Sequence, residues 1–365
     1  MTRELAKAYD ATFVESLGLR RPELRMNDFR RILKRVSSNQ STPATQRRPL
    51  PPSTRVVSPV VIPMHSRPFQ GVNRKLLLRG GIKEWAQSDS ARVFWTYSPV
   101  TYGLEEFADV AIYHCVDLLG EFPGIDRNLV DHNERRLAEA GVLAAASSEV
   151  VLEHLRNQGF RDPVFWPNVA DAETIIESSV TSTAQRAPSA VFAGNFTTKK
   201  VNFLLLRELL EAGVNLDLAG PVSQGGGDSQ EYLEELVSLG AKYHGMLPLE
   251  SLAQLMASNS VGLIPYELNA YTRGVSPLKV YEYLAAGLRV VSTPIPSVEA
   301  IEGHVSVAAS NQGFVLAVVS GIGPGDGNSL QERALLAKQH SWAGRGEEAR
   351  ELLSSMLVRA PTTTS

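Results

Sequence analysis

Cysteine is all but absent from this sequence. Cys115 stands alone among 365 residues, so no intrachain disulfide can form, and a chain without disulfides is expected in a reducing compartment, the cytoplasm. Long apolar runs are missing too. None approaches the roughly 18 residues of a membrane-spanning helix, and the opening MTRELAKAYD lacks the apolar core of a signal peptide. The chain is therefore not expected to be integral to a membrane. Metal ligands are scattered: the seven histidines include no pair at the spacing that sets two ligands on one helix face, and no two aspartates are separated by one residue. No metal site is expected. Three nucleotide and hydrolase signatures are also absent, namely G-x-G-x-x-G between a strand and a helix, G-x-x-x-x-G-K-[ST] and G-x-S-x-G. The glycines at 225–227 and in GIGPGDG fall in apparent loops and read as turns.

With 43% apolar and 21% charged residues, the composition is that of an ordinary globular protein, and the length suits two cores. Net charge is only -3, but residues 1–83 carry 17 Lys+Arg against 5 Asp+Glu, a balance of +12 that leaves -15 for the rest. Such a segment is either a solvated or flexible basic face, or a surface drawn to an anionic membrane or lipid-linked substrate. Nucleic acid is disfavoured as a partner, because no aromatic recognition motif accompanies the charge.

From about residue 91 short apolar runs alternate with helical patterns, as in βα units around a parallel sheet. ARVFWT, DVAIYHCVD, GVLAAAS and PVFWP read as strands, with helices over RNLVDHNERRLAEA and SEVVLEHLRNQG, the latter capped by Ser148 and ended by Gly159. The polar stretch ESSVTSTAQRAPS reads as a linker or long loop. A second domain follows, with strands SAVFAG, NLDLAG, AKYHG, VGLIPY, RVVST and VSVAA and helices over KKVNFLLLRELLEAG, LESLAQLMASN and PLKVYEYLAAG. The first 90 residues are less regular. ATFVES and RVVSPVVIPM suggest strands, NDFRRILKRV and VNRKLLLRGGIKEWAQ suggest helices, and SSNQSTPATQRRPLPPS suggests a loop. A helical pattern opens the chain where a full Rossmann half would open with a strand, so the first domain is expected to lack its first strand, or the start codon to have been assigned late.

The most informative segment is residues 264–294, IPYELNAYTRGVSPLKVYEYLAAGLRVVSTP. It predicts a strand, a loop and a helix with Ser276 as N-cap and Pro277 at the first helical position, then Gly287 ending the helix. A helix start at a sheet edge favours a phosphate. Lys279, at the expected third position, opposes the helix dipole, and a residue that breaks a local rule is a candidate for function. With a diphosphate bound it neutralises the leaving group, and Glu282, on the same face, accepts from ribose hydroxyls; the plain alternative is a surface ion pair between the two.

SPLKVYEYLAAGLRVVSTPIP resembles the donor-site helix of bacterial GT-B glycosyltransferases related to families GT4 and GT1, where a Lys and a Glu serve these two roles. AVFAGNFTTKKVNFLLL is similar to the opening strand and glycine loop of the same domain, which implies Gly194, Asn195 and Lys200 near the phosphates. AKYHGMLPLESLAQLMASNSVGLIPY is similar to the loop that holds the base, implying contacts from His244, Gly245 and Met246, largely through backbone. DVAIYHCVDLLGEFPG and FWPNVAD resemble the strand-end Asp and domain-closing Asn segments, and HSWAGRGEEARELLSSM resembles the terminal helix that crosses back. Gly274 stands where retaining relatives usually carry a second Glu, a departure that favours an inverting enzyme, and Leu118 stands where a second Asp often follows the Asp segment.

The resemblance implies an α/β GT-B architecture with two Rossmann-like domains facing a cleft: residues 1–170 for the acceptor, 171–335 for the nucleotide sugar, and 336–365 as a crossing helix and tail. The expected activity is metal-independent, cofactor-free transfer of a sugar from a nucleotide diphosphate sugar to a hydroxyl of a glycan, a lipid-linked or a small-molecule acceptor. Asp117, at the end of an apolar strand, is expected to face the cleft as general base; a loop or helix-cap carboxylate and an acceptor-binding group are the alternatives. His114 points to the other strand face and reads as structural. Against the enzyme stands a catalytically weak homologue that acts as a partner subunit or sugar-nucleotide binder.

Overall fold

Every apolar run read as a strand after residue 91 is a strand in the computed structural model. The structure describes residues 1–15, 50–59, 61–62, 64, 67–122, 124–180, 186–222, 229–299, 301, 303–323 and 327–359. The helix expected over 27–36, most of the loop over 37–53 and the glycines 225–227 lie outside these residues. The chain divides into two units, one of Met1–Ala146, Val151–Trp166 and Gly346–Ser365, the other of Ser147–Val150 and Pro167–Arg345.

The first unit begins with a short helix, Thr2–Leu5, before its first strand β1 (Ala11–Val14), which pairs in parallel with β2 (Thr54–Val57). The stretch expected as one helix over 72–87 is two, Arg67–Leu77 and Gly80–Ala86. Arg79 between them is extended, and the Gly80-Gly81 pair is a poor helix interior. A four-stranded parallel sheet follows in sequential order: β3 (Val93–Thr96), β4 (Val110–Cys115), β5 (Leu143–Ala146) and β6 (Val164–Phe165). Strand periodicity splits β4 between two cores. Tyr113 and Cys115 pack with Leu137, Leu155 and Phe160, while Val110 and Ile112 pack with Leu353 of the terminal helix Trp342–Arg359. Burial pushes the Cys115 thiol well up, which leaves it an inert core group.

The second unit holds six parallel strands, β7 (Ser189–Ala193), β8 (Asn215–Ala219), β9 (Lys242–Tyr243), β10 (Val261–Ile264), β11 (Arg289–Ser292) and β12 (Val305–Val307). Their order is β12-β11-β10-β7-β8-β9, the doubly wound arrangement in which the winding reverses between the first and fourth strands. β7 and β10 are buried along their whole length, as continuous apolar runs in a parallel sheet covered on both faces must be. One large core unites them with Leu205, Leu206, Leu209, Met256, Tyr283, Leu284 and Phe314.

One expectation, on the linker, is corrected. Glu177–Val180, read as linker, continue a helix over Ala172–Val180, because Ala172 and Ile175 are fully buried in the second unit's core. The chain passes between the units at Ala146–Ser147, Val150–Val151, Trp166–Pro167 and Arg345–Gly346. Residues 167–170 are held by the second unit: Asn168 Nδ2 donates to the Ser276 carbonyl at 2.8 Å, Arg345 donates to the Pro167 carbonyl at 2.8 Å, and Ala170 bridges to Ser341.

Candidate functional site

At the carboxyl ends of β7, β8 and β9 three glycine loops are stitched together. The Gly194 N–H donates to the Ala219 carbonyl at 2.9 Å, and the Gly220 N–H donates to the Gly245 carbonyl at 2.7 Å. Gly220 admits no side chain: a Cβ there would lie 1.9 Å from the Gly194 oxygen, and its φ of +131° is one that L residues avoid. Gly245 turns with φ +67°. The structure thus brings Gly194 and Gly245 together through a glycine that sequence reasoning passed over as the end of a strand.

His244 follows β9 with its N–H on the Leu218 carbonyl at 2.8 Å, and its ring meets Asp217 at 2.7 Å. Asp217 also accepts from Asn259 Nδ2 at 3.1 Å. The imidazole is committed to the face of β8, so this loop offers backbone rather than a histidine side chain. Met246 is half exposed beside it, and Asn195 is exposed after Gly194.

On the other side of the reversal, Lys200 and β10 meet. The Glu267 N–H donates to the Lys200 carbonyl at 2.9 Å and the Asn202 N–H to the Pro265 carbonyl at 2.8 Å. The Lys200 ammonium lies 4.7 Å from the centroid of the Tyr266 ring, a cation–π contact that steers the side chain along the strand end. Glu267 itself is pinned at its carbonyl by the Thr272 hydroxyl, and partial burial raises its carboxyl above the usual range. Beside it, Asn202, Thr293, Asn311 and Phe314 help line a cavity of about 190 Å³.

The helix that carries Lys279 and Glu282 spans Lys279–Ala285, with Leu278 at its cap position and no side-chain cap. The expected N-cap Ser276 is therefore corrected. The first turn is tight, with the Val280 N–H on the Pro277 carbonyl at 3.1 Å, and the Glu282 N–H is on Leu278 at 3.1 Å, so Lys279 is the first helical residue rather than the third. Ser276 is buried and contributes its carbonyl to Asn168, while Ser148 donates to the Gly274 carbonyl at 2.9 Å. These two bonds set the backbone that leads into the helix. Lys279 Nζ and Glu282 Oε2 are 2.5 Å apart, both largely buried, so the ion pair weighed as the plain alternative is formed.

In the first unit, Asp117 lies half-buried in the turn between β4 and a short 3-10 helix, Leu119–Glu121, and its carbonyl accepts from the Cys115 thiol at 3.3 Å. His114 is buried among Trp95, Tyr97 and Trp166, its ring stacked on Trp166 at 5.7 Å. Such an aromatic enclosure is structural surrounding. Among the described residues, Asp131, Glu134 and His154 gather their ligand atoms within 4.8 Å. Glu134 is already engaged there, by the Tyr113 hydroxyl at 2.8 Å and by His154 at 2.7 Å. No helix of the described residues is long and apolar enough to cross a membrane.

Residues 187–321 match the family described as glycosyl transferases group 1. No curated protein matches the chain by sequence. Solved structures are similar over most of the chain. Sucrose-phosphate synthase from Thermosynechococcus elongatus matches with a TM-score of 0.67 at 13% identity, over 96% of this chain and 99% of that one. A structure described as trehalose-6-phosphate from E. coli bound with UDP-2-fluoro glucose matches with a TM-score of 0.60 at 13% identity, over 95% and 98%. HepE of Anabaena in complex with UDP matches with a TM-score of 0.58 at 15% identity, over 83% and 86%.

Proposed function

We propose that this chain, whose residues 187–321 match the glycosyl transferases group 1 family and whose fold is similar to the solved structures above, is a GT-B glycosyltransferase that moves a sugar from a nucleotide diphosphate sugar to a hydroxyl acceptor with inversion and without a metal. The observation that carries the donor half is the convergence at the β7/β10 reversal. The loops at Gly194 and Gly245 are joined through Gly220, and Lys200 joins the end of β10, at the carboxyl edge where doubly wound sheets bind nucleotides. On this reading Gly194, Asn195 and Lys200 attend the phosphates, and His244, Gly245 and Met246 present backbone and an apolar edge to the base. Ser276 contributes the buried backbone that leads to Lys279. The diphosphate takes the Lys279 ammonium from Glu282, which turns its carboxylate to the ribose hydroxyls.

Asp117 is proposed as the base for the acceptor hydroxyl, whose oxygen attacks the anomeric carbon as the diphosphate leaves. The acceptor is a glycan, a lipid-linked or a small-molecule hydroxyl, and the chain works in the cytoplasm. A panel of nucleotide sugars tests the reading through thermal stabilisation and transfer. A donor at 100 times its dissociation constant adds about 2.7 kcal/mol to folding stability. Stabilisation by none of the panel refutes the donor site; stabilisation without transfer to any acceptor makes the chain a sugar-nucleotide binder.

The basic residues of 1–83 support contact with an anionic membrane face. The chain should then sediment with vesicles containing phosphatidylglycerol and not with phosphatidylcholine alone. Salt should release it, since exposed charges are screened beyond about 10 Å at 0.1 M. Equal sedimentation with both vesicles, or none, removes the membrane role.

A further inference from the structure

The ladder between β7 and β10 is short. It joins Ala190 to Val261 and Val191 to Gly262 and goes no further, so the two strands part just where the winding reverses. Alternate N–H groups of a strand point to opposite neighbours. The Gly194 N–H is taken by β8, and the Ala193 N–H therefore faces the gap that β10 has left. Ala193 is fully buried, and an unpaired buried N–H is costly.

A side chain from another element fills that gap. The Tyr283 hydroxyl accepts the Ala193 N–H at 2.8 Å. Tyr283 is fully buried, and its ring crosses β10 over Gly262, where an added Cβ would fall 2.4 Å from the ring. It sits on the helix Lys279–Ala285, next in sequence to Glu282. One hydrogen bond thus ties the last residue of β7, which precedes Gly194, to the helix that carries Lys279 and Glu282.

We propose that Tyr283 is a positioning residue of the donor site, holding the Gly194–Asn195 loop and the Lys279–Glu282 helix in one register across the β7/β10 gap. The inference rests on the donor reading above. Gly262 belongs to the same device, because any side chain there displaces the ring. A plain core role would show as lost stability alone, since phenylalanine fills the same volume but leaves the Ala193 N–H unpaired, whereas a positioning role also shows in donor affinity.

The test is Tyr283→Phe, with affinities for UDP, GDP and ADP and for the matching nucleosides measured where the variant is fully folded. The nucleotide that stabilises the wild type most should bind about tenfold more weakly, the equivalent of 1.4 kcal/mol, with its nucleoside changed less than about twofold. Tyr113→Phe, which removes a buried hydroxyl bond in the first unit, should lower thermal stability and leave both affinities alone. Wild-type hydrogen exchange gives a readout free of folding defects: the nucleotide should protect the amides of 193–195 and of 280–283 together. Undiminished binding by Tyr283→Phe, or protection of one segment without the other, overturns the positioning role while a loss in Lys279→Ala keeps the donor site. No nucleotide binding by the wild type overturns both.

Discussion

Replacing Lys279 by alanine is expected to weaken binding of the nucleoside diphosphate by about 10- to 100-fold, since a hydrogen bond to a charged group contributes about 1.5–3 kcal/mol. The nucleoside alone should bind within about threefold of wild type, because the lost contact is to phosphate. The resting ion pair complicates stability but not this ratio. Glu282 is 8% exposed, and removing its cation strands a largely buried carboxylate, so Lys279→Ala should also lower the melting temperature. The diphosphate-to-nucleoside ratio is measured on folded protein and cancels that loss. Glu282→Ala should behave in the opposite way, weakening diphosphate and nucleoside in equal proportion through the ribose. Isothermal titration of both ligands against both variants checks this. Equal losses in Lys279→Ala remove the phosphate role, and normal binding by Glu282→Ala removes the ribose role.

On the proposed reading the site makes use of its own ion pair. With no ligand, Lys279 and Glu282 satisfy each other at 2.5 Å, which explains how a lysine is tolerated as the first helical residue against the dipole. A bound diphosphate offers the ammonium more negative charge than one carboxylate. The carboxylate it leaves is then free to accept from hydroxyls. The ion pair is observed; a two-part recognition element when filled is the proposal, and the two readings are then compatible.

The strands were legible because parallel sheets covered on both faces need continuous apolar runs, as in SAVFA and VGLI. Their spatial order was not, since no local pattern says that β10 lies beside β7. Two features escaped for that reason, and a third for a local one. Gly220 reads as a strand end until the Gly194 carbonyl is placed beside it. Tyr283 reads as one more apolar residue of an amphipathic helix until its hydroxyl is found on an amide 90 residues away. Ser276-Pro277 has the composition of a helix start, yet the chain turns tightly for one more step and the helix begins at Lys279. Glu177–Val180 look like linker because their side chains are small and polar, whereas the helix they extend is decided by Ala172 and Ile175 in the core.

Asp117→Asn is expected to leave nucleotide affinity unchanged and to reduce sugar transfer by about 10²–10⁴-fold, the contribution of a positioned general base. The substitution keeps shape and removes only the capacity to take a proton. Asp117 belongs to the first unit, whereas the proposed nucleotide contacts belong to the second, so binding and turnover should separate cleanly. Stereochemistry supplies an independent check. A carboxylate that draws the proton from an acceptor hydroxyl attacking opposite the leaving diphosphate inverts the anomeric carbon, whereas departure and attack on one face retain it. Gly274, whose carbonyl accepts from Ser148, brings no carboxylate to the position where the resemblance expects one in retaining relatives, and on that ground inversion is the outcome proposed. The anomeric configuration of the product is read by NMR, and the rate of Asp117→Asn from single turnovers at saturating donor. Retained configuration, or an Asn variant at the wild-type rate, would assign Asp117 to the turn after β4 and move the base elsewhere.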